Sequence, residues 1–299
     1  MFDTHCHLNF SAFKKNLDDV IYKAKLVGVK KIVVPSTKLK NCRKAIEIAE
    51  KYEGAYVAVG IHPHHIYKTI DESTKILSQV NSPQENLRGS DIHFQQNFID
   101  SSIIEIEKLL QNDKVVAVGE VGLDYYEYEK TVYENYQVTA EFVEMQKELL
   151  IGQIKLAVKY HKSLILHNRG ASQDLMDLLE KNWDKQLAGR TVLHCCESEV
   201  KLLEFAKQHK IYLGVDGDVT FSKTKQDFIR LVPLEMLVLE TDSPLLLPES
   251  LRSKRLYPNK PENIKVISAF VADLLKIPVK ELERITFANS CRLFGLPEN

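Results

Sequence analysis

The 299-residue sequence has little of what marks a membrane-spanning, disordered or strongly charged protein. It contains no run close to the roughly 18 consecutive apolar residues that a membrane-spanning helix needs. Its 12 glycines and 10 prolines are too few for a low-complexity chain. Forty basic and 41 acidic side chains leave a net charge of −1, which excludes a general coat for nucleic acid. A hydrophobic fraction of 44% is enough for a large core, so we expect a globular protein.

The five cysteines suit neither a disulfide framework nor a zinc ribbon. Their number is odd, none forms a Cys-x-x-Cys pair, and Cys195 and Cys196 are adjacent. The stretch Met1–His7 has neither the basic nor the apolar region of a signal peptide. We therefore expect a reduced cytoplasmic protein that does not associate with membranes, with access to the nucleus in a eukaryotic cell.

Short β-branched runs alternate with segments of helical period along most of the chain. The predicted strands are Met1–His7, Lys31–Ser36, Ala55–His62, Lys114–Gly119, Ser163–His167, Thr191–His194, Ile211–Asp216 and Leu237–Asp242. The predicted helices between them are Asn16–Val27, Asn41–Lys51, Ser101–Leu110, Glu141–Tyr160, Gln173–Asn182, Glu197–Gln208 and Lys223–Arg230. Such alternation indicates parallel strands joined by helical crossovers. The sequence therefore predicts a (β/α)8 TIM barrel, a fold that needs about 250 residues.

A doubly wound open sheet is the alternative architecture. No G-x-G-x-x-G motif follows the first predicted strand, so we expect no dinucleotide cofactor. No linker or internal repeat interrupts the chain, which predicts one domain over residues 1–299. The polar stretch Thr69–Asp100 has no sustained period and is predicted to be a long inserted loop. One or two closing helices are predicted within Pro261–Pro297.

Ionisable side chains recur where the apolar strands end. His5 and His7 are two residues apart on the predicted first strand. Because side chains alternate between the two faces of a strand, both imidazoles face the same side, about 6–7 Å apart at Cα. Two imidazoles at that spacing can hold one divalent metal ion. Further strand ends carry Glu120, His167, His194 and Asp242. In a barrel all these ends open on one rim, where the active sites of this fold lie.

Each of these residues alone is more commonly a hydrogen-bonded core histidine or a helix-capping acid. Together they predict metal ions, because burying so many ionisable groups without a cation is energetically costly. The number of ligands indicates two ions, one held by His5, His7 and Asp242, the other by His167 and His194, with Glu120 bridging. Such a pair hydrolyses bonds at phosphorus or carbonyl carbon. The mixed ligands admit Mg, Mn, Zn or Fe.

Several motifs follow one another in a fixed order along the chain. They are Phe2–Leu8, Gly60–His64, Gly119–Tyr125, His167–Arg169, Glu240–Pro244 and the closing Ala288–Phe294. This set resembles the signature blocks of the TatD family of metal-dependent deoxyribonucleases. The resemblance implies a barrel of the amidohydrolase type and divalent-metal-dependent hydrolysis of DNA, usually from the 3′ end. By position it implies that the metal ligands are His5, His7, Glu120, His167, His194 and Asp242.

The chain departs from the family pattern in three places, all on loops predicted to face the substrate. After His194, the stretch Cys195–Glu197 stands where the family usually has an aromatic and small residues. The stretch Arg252–Pro258 lacks the usual Gly between its basic residues and the Asn after them. The predicted insertion Thr69–Asp100 is longer than typical. These differences concern the choice of substrate rather than the binding of metal.

Other residues are candidates for binding substrate. Arg169 can present a planar fork to phosphate, the alternative being a salt bridge at the rim. His62 and His64 follow the third strand beside the same mouth. A basic cluster could meet a nucleic-acid backbone, the alternative being a merely solvated surface. This basic cluster consists of Arg252, Lys254 and Arg255.

We predict a divalent-metal-dependent hydrolase that cleaves DNA phosphodiester bonds, as a 3′–5′ exodeoxyribonuclease acting on ends or single strands. In this hypothesis the catalytic residues are Asp242 as general base, Glu120 between the two ions and Arg169 on the phosphoryl oxygens. Two alternatives stay open. One is a related hydrolase of a C–N, ester or phosphotriester bond in a small molecule. The other is a metal-binding scaffold without catalysis. No oligomeric state is predicted.

Overall fold

The computed structural model describes residues 1–67, 87–131, 133 and 136–298, with the backbone alone for residues 87–95. In these ranges eight parallel strands form one sheet in chain order. They are β1 (Phe2–Asp3), β2 (Lys31–Pro35), β3 (Ala55–Val59), β4 (Val115–Asp124), β5 (Ser163–Arg169), β6 (Thr191–Leu193), β7 (Tyr212–Val215) and β8 (Leu237–Leu239). Nearly every strand residue is buried, because helices cover the outside of a parallel sheet.

The helices alternate with the strands and surround them. They are α1 (Leu17–Leu26), α2 (Leu39–Lys51), α3 (Leu87–Leu109), α4 (Ala140–Lys159), α5 (Ser172–Asn182), α6 (Val200–His209), α7 (Lys223–Ile229), α8 (Glu249–Arg252), α9 (Ile264–Leu275) and α10 (Val279–Phe294). The last two lie within Pro261–Pro297. None of the described helices is long and apolar enough to cross a membrane.

Hydrogen bonds between the first and last strands close the sheet. The N–H of Thr4 donates to the Leu239 carbonyl at 3.1 Å, and the N–H of Asp242 donates to the His5 carbonyl at 2.9 Å. The buried carboxylate of Asp3 accepts from the N–H of Thr241 at 3.0 Å and from its hydroxyl at 2.7 Å. The predicted (β/α)8 barrel is confirmed.

Apolar side chains fill the barrel and its amino-terminal end. Val33, Ile165 and Val238 belong to one buried cluster with Leu293 and Phe294 of α10. Because α10 packs against this end, only the opposite, carboxyl-terminal end of the barrel is available for polar groups. That end carries the active site in barrels of this kind.

The structure corrects the loop predicted over Thr69–Asp100. Residues 69–86 lie outside the described residues, but α3 begins at Leu87 and continues without a break to Leu109. From residue 96 on, the exposed side includes Gln96, which donates to Asp100 one turn later at 3.1 Å. Ile99 and Ile106 are buried on the other side. The prediction was wrong from residue 87 because a helix that contacts the core with only a few residues shows little hydrophobic periodicity.

Candidate metal centre and its rim

The structure brings the six predicted metal ligands together at the carboxyl ends of five strands. They are His5 and His7 after β1, Glu120 in β4, His167 in β5, His194 after β6 and Asp242 after β8. No side chain among them is more than 14% exposed. Glu120 faces inward because the register of β4 on β5 shifts between Val118 and Val121, as at a β-bulge.

One half of this centre is built around His5 and His7. Their Nε2 atoms lie 3.2 Å apart. Oε2 of Glu120 is 3.4 Å from Nε2 of His5 and 3.6 Å from Nε2 of His7. Oδ1 of Asp242 is 3.3 Å from Nε2 of His7, yet it is buried without a hydrogen-bond partner. Two ring nitrogens and two carboxylate oxygens that converge in this way fit a divalent cation.

The other half lies on the second oxygen of Glu120. Oε1 is 2.9 Å from Nδ1 of His167, 3.2 Å from Nε2 of His194 and 3.5 Å from Nε2 of His62. The ligand atoms of His62, Glu120 and His167 all lie within 4.8 Å of one another. The two oxygens of Glu120 therefore face different histidines, and the rings of His5 and His194 stack between them with centroids 3.7 Å apart. His62, predicted as a substrate contact, lies inside the centre and could hold metal.

Two further carboxylates contact the histidines from behind. Oδ2 of Asp124 is 3.4 Å from Nε2 of His167, and Oε1 of Glu240 is 3.3 Å from Nδ1 of His194. In each histidine the other ring nitrogen faces Glu120, so the carboxylates behind the rings can set their orientation and tautomer. Glu240 was not predicted from the sequence. The signal was its spacing, because it stands two residues before Asp242 and follows the same apolar strand.

Burial and charge shift the pKa values inside the centre in opposite directions. Burial alone would raise the pKa of Glu120, but His62, His194 and His5 hold that pKa well below its ordinary value. Burial alone would lower the pKa of His167, but Asp124 and Glu120 raise it to about 9. For His62 burial dominates and the pKa lies well below the ordinary value.

Arg169 ends β5 at the exposed rim of the centre. Its guanidinium lies over the rings of Tyr126 and Tyr128, 4.1 and 5.0 Å from their centroids. The guanidinium also donates to the Tyr128 hydroxyl at 3.0 Å, and that hydroxyl donates to Asp124 at 2.7 Å. Arg169 forms no ion pair with the described residues, so the rim salt bridge offered as the alternative is absent there. Its charge is free to meet an anion.

Comparison with known proteins now adds to this geometry. The family model described as "TatD related DNase" matches residues 2–295. The chain belongs to the TatD family. It is 29% identical to the uncharacterized metal-dependent hydrolase YabD of Bacillus subtilis, with 99% of each chain covered. It is 28% identical to deoxyribonuclease TATDN3 of Homo sapiens, over 98% of this chain and 93% of that protein.

A solved structure agrees with this assignment. The TatD homolog YjjV of Escherichia coli K12 superposes with a TM-score of 0.77 at 27% identity, covering 99% of this chain and 98% of that one. The family resemblance predicted from the motifs is confirmed. This TatD protein is therefore a member of a family of metal-dependent hydrolases, and the His, Glu and Asp groups described above are its candidate metal site.

The remaining predicted substrate contacts lie outside the centre. His64 packs against Tyr128 with ring centroids 5.1 Å apart, and its Nε2 is 3.3 Å from the hydroxyl of Thr131. The basic cluster is exposed and lies after β8, with Arg252 at the end of α8 and Lys254 and Arg255 just beyond it. In that cluster, Arg252 lies 3.4 Å from Glu249 and 4.4 Å from the centroid of the Phe221 ring. His62 and His64, predicted together as substrate contacts, therefore have different surroundings, since His62 lies inside the centre and His64 packs against Tyr128.

A second group of possible ligands lies beside the centre. Cys195, Asp216 and Asp218 also place ligand atoms within 4.8 Å of one another. The buried ammonium of Lys225 lies 3.3 Å from Asp218 and donates to the carbonyl of Cys196. Because Lys225 already supplies positive charge here, this group has less need of a metal ion than the centre does.

Proposed function

We propose that this TatD protein is a two-metal phosphodiesterase that acts on DNA as a 3′–5′ exodeoxyribonuclease. The observation that carries the proposal is the position of Glu120, one of whose oxygens faces His5 and His7 while the other faces His167 and His194. A carboxylate between two ions is typical of centres that cleave phosphodiesters by in-line displacement. The names of relatives such as deoxyribonuclease TATDN3 support DNA as the substrate.

The residues fit two divalent ions, of Mg, Mn or Zn. His5, His7 and Asp242 would hold one ion and His167 and His194 the other, with Glu120 between them and His62 as an additional ligand. Bound divalent ions would supply Lewis acidity and a water molecule of lowered pKa.

The protein's own side chains have three tasks in this proposal. Asp242 accepts the proton of the attacking water at its carboxylate. Arg169 donates to the non-bridging phosphoryl oxygens, where charge develops in the transition state. Asp124 and Glu240 keep the rings of His167 and His194 oriented, so that no reorganisation is needed during the reaction.

The decisive experiment is a release assay on single-stranded DNA labelled at either the 3′ or the 5′ end. The protein is stripped with chelator and then reconstituted with Mg, Mn or Zn. We expect the 3′ label to leave first as a mononucleotide, the 5′-labelled strand to shorten stepwise, and chelator to stop both.

Two outcomes would contradict the proposal. Intact DNA together with turnover of a phosphotriester, ester or amide substrate would point to a small-molecule hydrolase. Intact DNA and no turnover of any of these, by protein that analysis shows to be metal-loaded, would point to a scaffold.

A further inference from the structure

The carboxylate of Glu197 joins two loops at the rim of the centre. Glu197 lies on the loop that joins β6 to α6, and this loop begins with the predicted metal ligand His194. All its side-chain partners belong to the end of β5 and the start of α5. Oε1 accepts from the N–H of Gly170 at 2.9 Å, and Oε2 accepts from Nδ2 of Asn168 at 2.5 Å. The Ser172 hydroxyl lies 3.1 Å from Oε2. Charge-assisted hydrogen bonds of this kind are stronger than neutral ones.

Two of these partners, Asn168 and Gly170, are the neighbours of Arg169 on either side. On the opposite side the carbonyl of Arg169 accepts from the N–H of Tyr125 at 2.9 Å. The backbone at Arg169 is therefore held between β4 and Glu197. Gly170 has a φ of +66°, a left-handed conformation that turns the chain sharply just after Arg169. Within the described residues, the carboxylate of Glu197 is the hydrogen-bond acceptor of the Gly170 N–H.

We propose that Glu197 is a positioning residue that holds Arg169 at the angle from which its guanidinium meets the substrate phosphate. The inference rests on the proposed cleavage of phosphodiesters. It also gives a role to one of the stretches in which the sequence departs from its family, since Glu197 stands where small residues are usual. The acidic side chain thus acts through Arg169 and not on the substrate.

The sign of the expected effect separates positioning from simple electrostatics. DNA is a polyanion, so removing a negative charge beside its path should strengthen binding if charge alone matters. If Glu197 positions Arg169, removing the same charge should weaken binding instead.

Glu199 is a matched control. It carries the same charge two residues later on the same loop, and its Oε1 accepts from the Ser172 hydroxyl at 2.7 Å. Among the described side chains, its partner is Ser172 rather than the neighbours of Arg169. Replacing Glu199 therefore removes the same charge from the rim and leaves the hydrogen bonds from Asn168 and Gly170 to Glu197 in place.

The experiment measures kcat, KM and salt-dependent binding on single-stranded DNA for Glu197→Ala, Glu197→Gln and Glu199→Ala. We expect Glu197→Ala to raise KM and lower kcat so that kcat/KM falls about 10- to 100-fold, the cost of misplacing a catalytic contact by about 1 Å, with metal content nearly unchanged. The plot of log affinity against log salt should become shallower by about 0.7, the value of one phosphate contact on a single strand. Glu199→Ala should change KM by about twofold at most.

A double-mutant cycle with Arg169→Ala completes the test. If Glu197 acts through Arg169, the double variant should be no worse than Arg169→Ala alone, because coupled residues are not additive. Additive losses, or tighter binding by Glu197→Ala, would overturn the proposal. Should Glu197→Ala lower the melting temperature or lose metal, Glu197→Gln keeps the shape and one acceptor oxygen and enters the same cycle. If the parent protein neither binds nor cleaves DNA, the proposed function is refuted. If the parent cleaves DNA but the losses in the double-mutant cycle are additive, only the role of Glu197 is refuted.

Discussion

The centre and its rim differ in what holds their side chains in place. The six predicted ligands are at most 14% exposed and lie at or just beyond the ends of hydrogen-bonded strands. Arg169 ends β5, and the basic cluster lies at and just after the end of α8. All four side chains are exposed, and the guanidiniums of Arg169 and Arg252 lie over aromatic rings. The strands fix the centre to the barrel, whereas the rim depends on individual contacts such as Arg169 on Tyr126.

This difference has an energetic basis. A buried ionisable group without a partner is expensive, so each carboxylate and imidazole of the centre must face another such group or a cation. At the rim water screens the charges, and a single ion pair contributes little. Substitutions in the centre should therefore affect metal and turnover strongly, and substitutions at the rim should affect substrate binding more weakly.

Asp242→Asn should have the largest effect. The amide nearly keeps the volume and can still offer an oxygen to a metal ion, but it removes the charge and most of the basicity. Loss of a general base alone costs about 10²–10⁴ in rate, so we expect turnover to fall at least about a hundredfold at saturating metal. The fold should survive, because barrel stability resides in the core and at the opposite end. The measurements are kcat and circular dichroism.

The control for this variant is Asp227→Asn, at an exposed aspartate paired with Lys223. It should retain parental turnover. A folded, metal-loaded Asp242→Asn protein within a few fold of the parental rate would rule out Asp242 as the base. It would also show that a substitution in the centre can have as small an effect as one at the rim.

Metal content tests the centre more finely. Elemental analysis after reconstitution should approach two divalent ions per chain, as the proposed two-metal centre requires. Glu120→Ala should lower the occupancy of both sites because its two oxygens face both groups of histidines. His167→Ala should chiefly affect one site. Saturation at a single ion that Glu120→Ala leaves unchanged would remove the bridging role.

The same contrast explains what could be predicted from the sequence. Strand and helix alternation is a local signal, and each apolar strand that ends in an ionisable residue implies a shared rim once the strands are parallel. His5, Glu120 and Asp242 were predicted for this reason, although they are far apart in the chain. The fold and the meeting of these residues follow from periodicity and from the cost of burying charge.

What could not be predicted depends on contacts between loops. Nothing in the spacing of His62 and His64 shows that one enters the centre and the other packs on Tyr128. Glu197 looks like an ordinary surface acid until its hydrogen bonds from Asn168 and Gly170 are seen. Residues 87–100 were predicted as loop although they continue the helix predicted from Ser101, because few of their apolar residues recur at helical spacing. Such features have no periodic signature.

Arg169→Lys should have an intermediate effect, on catalytic efficiency and not on metal content. Lysine keeps the charge but cannot offer two parallel N–H donors or stack on Tyr126 in the same way. We expect kcat/KM for DNA to fall by about tenfold, as for one lost charge-assisted hydrogen bond, with unchanged metal content. The measurements are steady-state kinetics on DNA and elemental analysis of the metal content, for the variant and for the parent protein. A variant that loses metal would place Arg169 in the support of the centre rather than at the rim.

The smallest effect is expected from neutralising the basic cluster. Each phosphate contact on a single strand contributes about 0.7 to the slope of log affinity against log salt. Arg252 already lies 3.4 Å from Glu249, so Lys254 and Arg255 are the cations with most to offer DNA. Replacing all three with Gln should therefore flatten the slope by about 1.4, the share of two contacts, and leave kcat and metal content unchanged.

The control replaces Lys23, Lys223 and Lys276, three exposed lysines on the outer helices, which makes the same change in net charge. Equal slopes for parent and cluster variant would show that the cluster is only a solvated surface. Equal flattening in the control would show that net charge, and not position at the rim, governs the approach of DNA.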